Sequence, residues 1–61
     1  MHESGLSRKG AEDLALRLAE QTEEAHIIYL EKAGTSGVVA REEATDEQLG
    51  ASIDYRWPAE P

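Results

Sequence analysis

The apolar residues of this chain keep a helical spacing as far as Ala25 and then lose it, and that change of period fixes what the chain can fold into. At about 100° per residue, Ala11, Leu14, Ala15, Leu18, Thr22 and Ala25 fall within about 80° of arc. Glu12, Asp13, Arg17, Glu20, Glu23 and Glu24 point elsewhere, so residues 10–24 read as an amphipathic helix. It begins near Ser7 or Gly10, which sets Glu12 and Asp13 in the first turn, at the positive end of the helix dipole. Leu16 lies outside the stripe and offers a second contact point.

Continued as a helix, Ile27, Ile28, Tyr29 and Leu30 would scatter around every side. As a strand, Ile27 and Tyr29 share one face and Ile28 and Leu30 the other, and Ile and Tyr suit a pleated surface. The helical alternative rests on the absence of Gly or Pro before residue 34 and on Lys32-Ala33-Gly34, which has the form of a helix end. Gly34-Thr35-Ser36-Gly37 is the strongest loop signal, and Val38 to Arg41 follows as a short strand. Thr45 with Gln48 can form a capping box for one helical turn, closed by Gly50. Ala51, Ile53, Tyr55 and Trp57 then alternate with Ser52, Asp54 and Arg56 until Pro58 ends the strand.

The expected fold is α+β: one N-terminal amphipathic helix and then a small antiparallel sheet, in the order helix-strand-strand-strand. The alternative is a long helix or helix pair to residue 33 followed by a β-hairpin. Residues 1–61 form a single small domain with loose ends at 1–7 and 58–61.

Size bears on partners. The chain has 61 residues, no Cys and no Phe, so its core is thin and no disulfide staples it. One helix covers one face of a sheet, and this sheet carries apolar residues on both. Both points lead to an expected second copy, a homodimer. No stretch has the length of a membrane span and no apolar leader is visible at 1–20, so a cytoplasmic location is expected.

The net charge of −7 is placed unevenly. Arg8, Lys9 and Arg17 cancel the acids of residues 1–19, and residues 20–61 hold ten acids against Lys32, Arg41 and Arg56. Such a surface repels nucleic acid phosphates and anionic lipid and suits a basic protein partner.

Catalytic and ligand-binding chemistry finds little to work with. His2 is near the terminus, and nothing in the spacing couples Ser36 or Ser52 to His26, which reads as a surface or half-buried imidazole. Glu23, Glu24 and His26, or Glu42, Glu43, Asp46 and Glu47, could gather around a hard cation, but the acids do not alternate about a central Gly as a calcium loop requires. Gly34 to Gly37 lacks the lysine ending of a phosphate loop. No cofactor, no metal and no enzymatic activity are expected.

What stands out is an acid run, Glu42, Glu43, Asp46 and Glu47, ahead of Tyr55 and Trp57. Tyr, Trp and Arg are enriched at binding hot spots. With only three aromatics in the chain, Tyr55 and Trp57 are equally wanted for the core. The alternation at 51, 53, 55 and 57 sets Trp57 on the buried face of the last strand, so Trp57→Ala is expected to be severely destabilising. The expected function is a small acidic protein-binding or regulatory protein, an inhibitor in one form, that acts on a basic protein through these six residues. If residues 23–33 are helical, the chain from Tyr29-Leu30-Glu31-Lys32-Ala33-Gly34 through a hairpin of 38–42 and 51–57 resembles the second half of a winged helix. That resemblance implies a small DNA-binding regulator or an antitoxin-like module.

Overall fold

A computed structural model describes residues 2–58. In chain order the elements are β1 (His2–Leu6), α1 (Arg8–Thr22), β2 (His26–Leu30), β3 (Ser36–Ala40), a 3-10 turn (Arg41–Glu43), α2 (Asp46–Gly50) and β4 (Ser52–Arg56). The fold is α+β, with one long helix and a four-stranded antiparallel sheet in the order β1-β3-β2-β4.

α1 starts where Ser7 accepts a hydrogen bond from Gly10 N at 3.1 Å, so Glu12 and Asp13 fall in its second turn rather than its first. There they meet Arg8 and Lys9 one turn back, at 3.8 and 3.7 Å. Ala11, Ala15, Leu18 and Ala19 are buried, and the first three press on Ile28 and Val38 of the sheet. Leu16 is exposed.

The switch to a strand is real: residues 26–30 are β2, and the second helix that the winged-helix likeness required is absent. α1 stops at Thr22 because Glu23 adopts a left-handed conformation, φ 58° and ψ 28°. Thr45 and Gln48 form the expected capping box, each side chain binding the other's backbone N–H. The N-terminal segment, read as a loose end, is instead an edge strand paired with β3, bulged between Glu3 and Leu6 where Gly5 takes φ 71°. Of the expected loose end at 58–61, residues 59–61 lie outside the described residues.

The second sheet face is covered by the chain itself. Ile27, Tyr29 and Val39 are buried under the segment joining β3 to β4, with Ala44 and Ala51 packed on them. The open face that argued for a second copy is therefore closed over these residues. The cover reaches Tyr55 but not all of β4's face. Ile53 is 38% exposed and Trp57 61% exposed, against the expected burial of both: Ile53 is the extra residue of a bulge, where Asp54 pairs with Ile28 and Ser52 with Tyr29, and Trp57 lies past the end of this edge strand.

No described helix is long and apolar enough to cross a membrane.

Candidate partner-binding face

The covering segment carries the acid run. Ala40 leaves β3 and Arg41 N is fixed to Ala25 O at 2.9 Å, which starts the 3-10 turn holding Glu42 and Glu43. Thr45 then caps α2, and the same cap places Asp46 and Glu47 in its first turn, beside the free N–H groups. All four acids are exposed. The small residues Ala44 and Ala51 face inward, so the segment lies close on the sheet while its carboxylates stand outward.

Tyr55 reaches the same face. It pairs with Ile27 across the sheet and packs on the cluster beneath Ala44 and Ala51. Trp57, two residues on, stacks on it with ring centroids 6.3 Å apart and planes 12° from parallel. One side of the indole is thus backed by a half-buried ring and most of the rest meets solvent. Arg56 points the other way, to Asp54 at 2.6 Å and to Glu12 of α1 at 3.7 Å, so it leaves the indole uncovered. The structure brings the six expected residues to one side of the sheet, the acids on the covering segment and the aromatics on β4 and just beyond it.

A shallow cleft of about 310 Å³ continues this face toward the β2–β3 loop, lined by Tyr29, Leu30, Glu47, Gln48 and Ala51 among others. Leu30 there is 52% exposed. Burial raises the Tyr29 phenol above its ordinary value near 10; a hydrogen bond with Gln48 opposes this and the charge of Glu31 adds to it. No local pattern of residues signals this cleft, because it forms only when α2 folds back over β2.

His26 is buried, not half-exposed: its Nδ1 lies 2.9 Å from Glu24 O and its Nε2 has no partner. Ser36 is buried at the start of β3. Among the described residues no three His, Cys, Asp or Glu side chains are grouped to hold a metal ion.

Comparison with protein-family models, with curated proteins and with solved structures finds no match.

Proposed function

We propose that this chain is a non-catalytic binding protein, and that it docks a basic protein on the sheet face opposite α1. The observation that carries the reading is Trp57. The only tryptophan of a 61-residue chain is 61% exposed, stacked on Tyr55 beside a segment with four outward carboxylates. A large apolar side chain left in water has a physical cost, and burying it against a partner recovers that cost. An aromatic pair on a face that also carries acids suits lysine and arginine twice over, through the ring quadrupole and through charge. The net charge of −7 steers such a partner inward and repels nucleic acid.

The test uses the basic protein that the immobilised chain retains. A variant with Glu42→Gln, Glu43→Gln, Asp46→Asn and Glu47→Gln should fold within about 1 kcal/mol of wild type, since surface changes and helix-dipole terms are small. It should bind at least tenfold more weakly, about 1.4 kcal/mol, with a shallower salt dependence. Trp57→Ala should weaken binding as much while melting within a few degrees of wild type. Unchanged affinity and salt dependence in the first variant would reduce the acid run to a solubilising surface.

A further inference from the structure

The open edge of β4 is held shut by two of its own side chains. Arg41 N donates to Ala25 O, so residues 25, 27 and 29 turn their backbone groups toward β3, and residues 26, 28 and 30 turn theirs toward β4. The bond from Leu30 N to Ala51 O, 3.0 Å, agrees. Tyr55 lies opposite Ile27, so its N–H and C=O point away from β2, to the side where no strand follows among the described residues. Both groups are nevertheless taken. Tyr55 N–H donates to Asp54 Oδ1 at 2.8 Å, and Arg56 Nη1 donates to Tyr55 O at 2.9 Å. Arg56 Nη1 also donates to Asp54 Oδ2 at 2.6 Å, which closes a ring around one residue of backbone.

We propose that Asp54 and Arg56 form a latch over a self-pairing edge, and that opening it lets β4 pair antiparallel with β4 of a second copy of this chain. An edge with free N–H and C=O groups is a template for another strand. An antiparallel pairing of like strands has two-fold symmetry, and with the axis at Tyr55 its N–H and C=O become each other's partners in the two copies. That register sets residue 57 of each copy across from residue 53 of the other, where β4 bulges between Ser52 and Asp54, and brings two exposed apolar side chains of the monomer, Trp57 and Ile53, near one another. The second copy is therefore the occupant that the edge fits. The carboxyl of Asp54 is held below its usual range, first by Arg56 and then by the Tyr55 N–H, so the latch stays charged at neutral pH. This inference is independent of the basic partner proposed above.

Sedimentation equilibrium of wild type, Asp54→Ala, Arg56→Ala and Glu12→Gln tests it. Glu12→Gln loses the tie from Arg56 to α1 and keeps both caps, so it should match wild type. The two latch variants should double in mass while keeping the wild-type circular dichroism spectrum. Tyr55→Cys added to Asp54→Ala should then form a disulfide between chains, because directly paired Cα atoms lie about 5.5 Å apart. The same Cys in the wild-type background should not. Folded latch variants with the wild-type mass overturn the proposal, and so does a disulfide formed with the latch intact. One measurement needs no variant: the Tyr55 amide should exchange slowly with solvent deuterium despite its place on an open edge. Exchange at the rate of an unstructured peptide rejects the latch.

Discussion

Tyr29 stands directly opposite Gly37 on β3, and its ring lies across the glycine. A Cβ on Gly37 would be 2.5 Å from Tyr29 Oη and 2.8 Å from Cε1, with Cζ nearer still. The glycine is there for room rather than for a turn, and it lets an aromatic ring stay flat on the sheet beneath α2. Gly37→Ala must push a buried ring out of its place, an overpacking that typically costs about 1–3 kcal/mol. In a domain of this size each kcal/mol lowers the melting temperature by about 4–8 °C. Thermal circular dichroism reads the difference, and an unchanged melt would mean that the ring has space to slide. In the sequence, Gly37 belonged to a Gly-rich loop signal, and nothing local marked it as the floor under Tyr29. The same blindness applied to Trp57. Alternation told which face it shares with Tyr55, and that was right, but alternation does not tell how far the cover over that face extends.

At the scale of elements, the hard segment was residues 25–33, and the difficulty had a physical source. Helix ends are usually announced by glycine in the left-handed position, but here Glu23 occupies it. A side chain with a Cβ pays roughly 1 kcal/mol to sit there, so no stop signal was written where the helix stops. Glu23→Gly should therefore stabilise the protein by about 0.5–1 kcal/mol, even though a glycine is added. A urea titration should show the midpoint move up with an unchanged slope. A midpoint that moves down would mean that the Glu23 side chain makes a contact worth more than the strain. The loss of helical period, not any stop residue, was what revealed β2. The capping box of α2 was legible because its two residues signal each other over three positions. β1 was not, since its pairing partner is more than thirty residues away, at Val38 and Val39, and Gly5 with two serines gives it the composition of a tail.

Over the whole molecule, the order β1-β3-β2-β4 contains two crossovers that step the same way across the sheet. One runs from β1 over β3 to β2, the other from β3 over β2 to β4, and they start from strands of opposite direction. Connections of the usual right-handed sense must then lie on opposite faces. That is where they are found, with α1 on Ile28 and Val38, and residues 41–51 on Ile27, Tyr29 and Val39. The chain supplies its own second layer, which a count of helices in the sequence could not anticipate. Its surface, 4047 Å², is close to the roughly 3,900 Å² expected of a folded monomer of this mass. The cover is thin, however, and depends on the Thr45 cap to hold α2 over Tyr29. Thr45→Ala removes an N-cap worth about 1 kcal/mol. The phenol of Tyr29 reports the result when Tyr55→Phe leaves it as the one titrating tyrosine. With α2 in place, burial raises that phenol above 10, so its contribution to stability is present below 10 and lost as pH rises through the raised value. With the cap removed, the absorbance titration of Tyr29 should move down toward 10, and the stability gap from the capped protein should narrow in alkali. A Tyr29 titration unmoved by Thr45→Ala would show that residues 41–51 are held in place by the packing of Ala44 and Ala51 alone.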